Sequence, residues 1–222
     1  MTAVSQLFIY NKTLGYLGER RISTLTEARE PRRVLDDYWA DVTSYCLERK
    51  LWNFSYRTVS IDSSTTIIPG FGFLYAFNIP NDWIRTRRIS SVTTMDPPLL
   101  QMAEEAGFWY TNITPIYVEY NSSDPLYGMN LGAWPQSFAD YVALRLAQHA
   151  CYRITGSDAR LAGPEGLLKR EEKAYKVAAA NCAMNEAVGF APQSSWVRAR
   201  RGMVRGLPSP GGDEPTGGGL IP

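Results

Sequence analysis

The chain has 222 residues and a formal net charge of +1, so its bulk charge gives no argument for binding to nucleic acid or to a membrane. Its length suits one domain, or a domain with an insertion, and its apolar fraction of 45% is sufficient for a hydrophobic core. The sequence has one histidine, His149, and three widely spaced cysteines, which argues against the closely paired ligands of a Cys/His zinc site.

The N-terminal part predicts a short helix, a polar connector and a long helix. Apolar side chains recur at helical spacing over residues 3–14, and Gly15 or Gly18 supplies a left-handed stop. Thr26 is the expected N-cap of a second helix from Pro31 to Arg49, because proline suits a first helical turn. The second helix is amphipathic, with one apolar row at i+4 spacing formed by Val34, Tyr38, Val42 and Cys46.

Residues 54–134 change to a pattern typical of strands. β-branched and aromatic residues dominate FSYRTVSID, DWIRTRRISSVTT, GFWYT and IYVEY, and Pro, Gly, Asn and Asp mark turns between them. The pattern predicts four or five short strands in one small antiparallel sheet, because no helical crossover is available for parallel pairing. The segment QMAEEAG is interpreted as a polar loop or a short helical turn.

Helical periodicity returns after residue 134. One helix is predicted to start at Pro135 or Ser137 and to stop at Gly156, and another covers about residues 164–187. From Pro192 the sequence is rich in Pro and Gly and poor in apolar residues, which predicts a flexible tail that is disordered in the free chain. Three small residues on the first of these helices let a neighbouring helix approach closely: Ala139, Ala143 and Ala147.

These segments predict an α+β fold with helices from both ends of the chain. We expect a four-helix bundle-like domain from residues 1–53 and 135–190, with a β-rich insertion at 54–134. The flexible Arg-, Gly- and Pro-rich tail occupies 191–222. No apolar run is long enough to span a membrane and the first residues do not resemble a secretory signal, so we expect a cytosolic product.

The sequence gives little support for an enzyme. It contains no G-x-S-x-G, P-loop or G-x-G-x-x-G motif, and His149 lies within a helix, where a structural position is favoured. The adjacent carboxylates Glu104 and Glu105, like Asp36 and Asp37, would face different sides of a helix, so neither pair alone forms an acid–base couple. We therefore expect no catalytic residue, no cofactor and no metal site.

The Arg-rich part of the tail is the remaining local signal. Its arginines are interleaved with apolar side chains, with no acidic residue among them. One interpretation is an arm that docks into an acidic groove of a partner, with a tryptophan as its anchor. The others are contact with a nucleic-acid backbone and a solvated basic tail. The candidate partner-binding residues are Trp196, Arg198, Arg200, Arg201 and Arg205.

The N-terminal part also contains a motif that resembles a known family. The run L-x-x-L-G-E-x-x-(I/V)-S-T-L is followed by a polar spacer, by R-R-V-L within the long helix and by W-N-F. Together these are similar to the N-terminal region of the tail tubular protein A family, the head-to-tail adaptors of short-tailed, podovirus-type bacteriophages. The helix from Phe138 to Ala147 also resembles the family's penultimate helix, whereas the tail beyond residue 192 has no counterpart. The matching residues are Leu14, Leu17, Gly18, Glu19, Ile22, Ser23, Thr24, Leu25, Arg32, Arg33, Val34, Leu35, Trp52, Asn53 and Phe54.

The resemblance implies a structural virion protein at the head–tail junction, present in the host cytoplasm during assembly. The implied partners are further copies of the chain in a dodecameric ring, the portal protein and the tail nozzle protein. Genomic double-stranded DNA would pass through the lumen without specific recognition. No catalysis or cofactor is implied. Trp83, Trp109 and Trp134 either supply the contact faces of such a ring or belong to the core of the sheet.

Two alternative functions stay open from the sequence. One is a virion-associated cell-wall hydrolase that cleaves glycans, which is supported only by the surplus of carboxylates. The other is a head-completion connector of a long-tailed phage with a similar helical core, which the neighbouring genes would distinguish from an adaptor.

Overall fold

The computed structural model describes residues 4–70, 72–163 and 166–185. These residues form helices at both ends of the described stretch and antiparallel strands between them, so the fold is α+β. The helices and strands, in chain order, are α1 (Gln6–Leu17), α2 (Glu30–Glu48), β1 (Tyr56–Ile61), β2 (Tyr75–Asn78), β3 (Trp83–Ser90), β4 (Met102–Glu105), β5 (Phe108–Thr111), β6 (Ile116–Ser122), α3 (Gln136–Thr155) and α4 (Leu167–Met184).

Helix α1 ends at Gly18, one of the two glycines that the sequence offered as a stop. Gly18 has a φ of 72°, and its N–H donates to the last carbonyls of the helix. A Cβ at this position would lie 2.8 Å from Nη1 of Arg160, whose guanidinium donates a hydrogen bond to the carbonyl of Leu17. Glycine is therefore favoured here by the left-handed backbone conformation, whereas the guanidinium of Arg160 lies at the end of a flexible side chain that can move aside.

The connector between α1 and α2 is held by one amide side chain. Asn11 accepts a hydrogen bond from the N–H of Ile22 (2.8 Å) and donates one to its carbonyl (3.0 Å). The prediction that Thr26 is the N-cap of α2 is wrong: the cap residue is Arg29. Thr26 lies in the connector, where its hydroxyl pairs with that of Thr24 (3.1 Å), and Pro31 occupies the first turn as expected.

Helix α2 has no glycine at its C-terminus, so other side chains satisfy its last carbonyls. The indole N–H of Trp52 donates to the carbonyl of Cys46 (2.9 Å). The amide of Asn121 on β6 donates to the carbonyls of Leu47 (3.4 Å) and Lys50 (2.9 Å). This end of α2 is thus the point at which the helices are joined to the sheet β1-β6-β3.

Helix α3 is central among the described helices, because it contacts α1, α2 and α4. The close approach predicted for its small residues is confirmed at Ala143, which is fully buried and whose carbonyl accepts a hydrogen bond from Thr13 of α1 (3.1 Å). Aromatic rings fill the rest of this core: the ring centroids of Trp52 and Phe138 lie 4.8 Å apart. The long apolar face of α3 therefore organises the helical core.

In the described part of the chain the strands form two three-stranded sheets, where the sequence predicted one. Their strand orders are β1-β6-β3 and β2-β5-β4, and every pairing is antiparallel. The interpretation of QMAEEAG as a loop or helical turn is wrong, because β4 lies within it. Ala106 and Gly107 both have positive φ (51° and 84°), so they form the tight turn that pairs β4 with β5.

The two sheets share an apolar core of their own. Because side chains alternate along a strand, every second residue of each paired strand faces inward. The inward side chains meet in one cluster, which is partly covered by Val59, Ile61 and Trp83 at its margin. The fully buried members of the cluster are Phe77, Ile89, Trp109, Ile116, Val118 and Tyr120.

Candidate interaction surface

A polar cluster around Asp82 ties β1, β3 and β6 together. Asp82, just before β3, accepts hydrogen bonds from Nη1 of Arg57 (2.9 Å) and from the hydroxyl of Tyr120 (3.1 Å). The hydroxyl of Ser122 donates to the same carboxylate. Burial disfavours the charged form of Asp82, but these donors outweigh that effect and lower its pKa. Burial also raises the pKa of Tyr120 to about 12, so its hydroxyl remains a donor at neutral pH.

The outward side of the sheet β2-β5-β4 bears a row of aromatic rings. Trp109 and Thr111 of β5 are buried, so Phe108 and Tyr110, which alternate with them, face outward. Phe73, just before β2, stacks beside Tyr110 with ring centroids 6.5 Å apart, and the rings of Phe108 and Tyr110 lie 6.4 Å apart. These three rings are only partly buried.

The segment between β1 and β2 extends this apolar surface. Ile68 is 87% exposed, and it lines a groove of about 300 Å³ together with Phe73, Ala103 and Tyr110. The segment is held on the sheet by the N–H of Ser64, which donates to the carbonyl of Ala76 (2.7 Å). Clustered exposed apolar side chains of this kind are typical of contact surfaces. We call Ile68, Phe73, Phe108 and Tyr110 the outer aromatic face.

The tryptophans that the sequence offered for contact faces lie elsewhere. Trp109 is buried in the core of the sheets, as one alternative predicted, whereas Trp134 is buried in the helical core, where neither alternative placed it. Trp83 is half-buried, and its indole donates to the hydroxyl of Thr86 (3.0 Å). The aromatic side chains that do face outward were missed, although the alternation in the run FWYT places Phe108 and Tyr110 on the side opposite to Trp109.

Glu104 and Glu105 do not face a common cleft, because successive residues of a strand point to opposite sides of the sheet. Glu104 accepts hydrogen bonds from the hydroxyl of Thr86 (2.6 Å) and from the indole of Trp109 (3.0 Å). Glu105 lies on the other side, next to the groove beside Tyr110. This geometry does not favour the pair as the two carboxylates of a glycan hydrolase, which must flank one glycosidic bond.

The other reactive side chains of the described region are packed within the helices. The ring centroid of His149 lies 5.8 Å from that of Tyr38, and burial lowers the pKa of this histidine. The cysteines are buried and unpaired, and burial raises the pKa of Cys46 to about 12. Among residues 4–70, 72–163 and 166–185, no group of three or more His, Cys, Asp or Glu side chains is arranged to hold a metal ion.

The candidate partner-binding residues of the tail lie outside the described residues. They are Trp196, Arg198, Arg200, Arg201 and Arg205. Their assignment as an arm for the portal stays a prediction from the sequence.

No protein-family model matches the chain, and no curated protein matches it. Within the described residues, none of the helices combines the length and the apolar composition needed to cross a bilayer.

Proposed function

We propose that this chain is the subunit of a structural adaptor ring that joins a phage portal to the tail nozzle and forms part of the DNA-ejection channel. The observation that carries the proposal is the run from Asn11 to Phe54, which resembles the tail tubular protein A family. The roles of its side chains support a scaffold: Asn11 holds the connector, Gly18 ends α1 beside Arg160, and Trp52 caps α2. A motif of residues that position helices fits a structural subunit better than a reaction site.

We further propose that the helices form a bundle-like domain from which the strands project as an insertion. The contacts of α3 with α1, α2 and α4 support this arrangement. The insertion is attached through Asn121 of β6, which donates to the carbonyls of Leu47 and Lys50, and through Trp134, whose ring packs edge-on against Phe138 of α3 (4.8 Å between centroids). Such attachment would hold the contact surfaces of a ring subunit in one geometry.

A ring of identical subunits needs two different faces on each chain. We propose that the outer aromatic face is one of these surfaces, since Ile68 is exposed and the three rings beside it are only partly buried in the single chain. The dodecameric state, the portal and nozzle partners, the DNA in the lumen and the position at the head–tail junction come from the family resemblance.

The mass of the purified chain, measured alone and after mixing with the portal protein of the same phage, tests the proposal. We expect the chain to join the portal as a ring of defined stoichiometry, visible by native mass spectrometry and electron microscopy. A chain that never enters a ring when the portal is present would contradict it.

The Arg-rich arm is a separate part of the proposal. Removing residues 192–222 is expected to weaken binding to the portal, because Trp196 and the neighbouring arginines would no longer reach an acidic groove. The truncated chain is expected to keep the thermal unfolding midpoint of the full chain. Portal binding that is unchanged by the truncation, or a truncated chain that does not fold, would show that the arm has another role.

A further inference from the structure

The edges of the two sheets differ in how they are protected. An exposed edge strand presents unpaired N–H and C=O groups to any other extended chain, so proteins usually block such edges with charge, irregularity or a covering segment. In the described part of the chain the edge strands are β1 and β3 of one sheet and β2 and β4 of the other.

Three of these described edges show a recognised form of protection. Strand β3 has two shifts in its register against β6, and several arginines along it, including Arg85 and Arg88. Strand β4 has only four residues and ends in Glu104 and Glu105. Strand β2 is also short, and the N–H of Ser64 covers part of its edge by donating to the carbonyl of Ala76.

Strand β1 lacks these features. It pairs with β6 over six residues without a shift, from Tyr56 opposite Asn121 to Ile61 opposite Ile116. Its charged residue, Arg57, is engaged by Asp82. Among the described residues, no backbone group outside β6 bonds the backbone of residues 57–61. In an antiparallel strand with one neighbour, alternate backbone groups point away from that neighbour, so β1 offers a regular row of free donors and acceptors.

We propose that β1 pairs in antiparallel fashion with β1 of a second copy of this chain, so that the two β1-β6-β3 sheets join into one. The sequence of the strand is complementary to itself around a two-fold axis through Val59. That axis places Val59 opposite its own symmetry mate and Thr58 opposite Ser60, with each pair on one side of the sheet. Arg57 falls opposite Ile61, so no like charges oppose each other.

The side chains of β1 also favour a second copy of the chain as the partner at this edge. Val59 and Ile61 face the core between the sheets but are only half-buried at its margin. A second β1 strand would place its own Val59 against Val59, which extends the apolar core across the contact, and the methylene stem of its Arg57 against Ile61. Thr58 and Ser60 on the other side are exposed and neutral, so they oppose pairing neither by charge nor by bulk.

This contact goes beyond the proposed function and is independent of it. A ring that joins two different partners has polarity, and its subunits meet through unlike faces, whereas a β1–β1 contact joins like faces. The β1–β1 dimer is therefore a state of the protein before ring assembly, and it must dissociate when a ring forms. Its small size, one strand from each copy, suits a reversible contact.

Two lysines on the exposed side of β1 test the proposal. In the variant Thr58→Lys/Ser60→Lys, each lysine faces a lysine of the second copy, so the dissociation constant of the dimer is expected to rise about tenfold or more. The measurement is light scattering or native mass over a dilution series of the full chain. The control is Ser91→Lys/Thr93→Lys, which adds the same charge at exposed positions after β3 and is expected to leave the dimer unchanged.

A cysteine scan tests the register even if the lysine variant folds poorly. Cysteines at position 59 lie opposite each other across the axis, so Val59→Cys is expected to form an intermolecular disulfide on mild oxidation. Ser60→Cys is expected not to, because its symmetry mate is about 7–8 Å away along the diagonal. The native cysteines are buried and will not compete. A wild-type chain that is monomeric at all concentrations, a dimer insensitive to the lysines, or cross-linking at 60 instead of 59 would each overturn the proposal while leaving the ring proposal intact.

Discussion

The helices and the strands of this chain bury their side chains in different ways. The described core around α3 is one continuous apolar cluster, which includes the large rings of Trp52 and Phe138. The cluster between the sheets is smaller, and hydrogen-bonded carboxylates lie beside it. Asp82 holds Arg57 and Tyr120 at one place, and Glu104 holds Trp109 at another.

This difference indicates that two kinds of force hold the molecule together. The helical core depends mainly on the apolar area removed from water, which does not titrate, although it also contains the buried Glu171, paired with Arg49 (2.8 Å). The β-rich part depends more on charged hydrogen bonds because its apolar cluster is smaller, and such bonds are strong when complete and costly when one partner is lost. A change of charge at Asp82 is therefore expected to loosen the strands, whereas the largest loss in the helices is expected from the removal of a buried ring.

The largest effect is expected from Trp52→Ala. Trp52 is almost fully buried, packs edge-to-face against Phe138 and caps α2, so its loss should lower the free energy of unfolding by about 3–5 kcal/mol. Urea denaturation followed by circular dichroism measures this. The control is Leu126→Ala, which removes an exposed side chain and is expected to change stability by less than about 0.5 kcal/mol. Similar values for the two variants would show that the helical core is not the main source of stability.

A smaller loss is expected from Asp82→Asn. The amide keeps the shape of the side chain but removes the charge that Arg57, Tyr120 and Ser122 bind. Because hydrogen bonds to a charged group are worth roughly 1.5–3 kcal/mol, we expect a loss of about 2–3 kcal/mol in urea denaturation. Asp62→Asn, at an exposed carboxylate after β1, is the matched control. If Asp82→Asn lost less unfolding free energy than Asp62→Asn, charged hydrogen bonds would not distinguish the strands from the helices.

Acid should reduce the difference between wild type and Asp82→Asn. The folded chain lowers the pKa of Asp82 below the usual value of about 3.9 for an aspartate, so the carboxylate contributes stability above that pH. This contribution is lost as pH falls from about 4 through the lower folded pKa. Urea denaturation between pH 7 and pH 3 is expected to show the two chains converging. Trp52→Ala should keep its deficit over the same range, and convergence of that variant with wild type would argue against the separation of forces.

The helical half was the easier half to predict. The i+4 apolar row of α2 and the small residues of α3 both indicate buried helix faces and nothing else. The predicted end of α1 at Gly18, and the predicted start and end of α3 at Pro135 and Gly156, agree with the structure. Those signals are local, so no knowledge of distant partners is needed. The error at Thr26 has a local cause as well, since a hydroxyl can pair with a neighbour in the connector instead of capping a helix.

The strands were harder because their pairing is not local. Strand β4 has two exposed glutamates in four residues, and only its turn at Ala106–Gly107 and its pairing with β5 make it a strand. The division into two sheets, and thus the outward direction of Phe108 and Tyr110, depends on which strands become neighbours. The outer aromatic face could be anticipated from alternation in FWYT only once Trp109 was known to face inward.

The smallest effect on stability and the largest on assembly are expected from Ile68→Asp. Ile68 is 87% exposed, so the substitution should change the free energy of unfolding by less than about 0.5 kcal/mol. The same change places a charge on the outer aromatic face, and a buried unpaired charge at a contact would weaken assembly strongly. Leu100→Asp is a close control, because Leu100 is 89% exposed and just precedes β4, away from the residues that line the groove.

Sedimentation of the chain mixed with the portal and nozzle proteins measures assembly. The assembled fraction should fall for Ile68→Asp and not for Leu100→Asp. Equal assembly of the two variants would mean that exposed apolar side chains of the strands are ordinary surface, and that the ring faces lie on the helices instead.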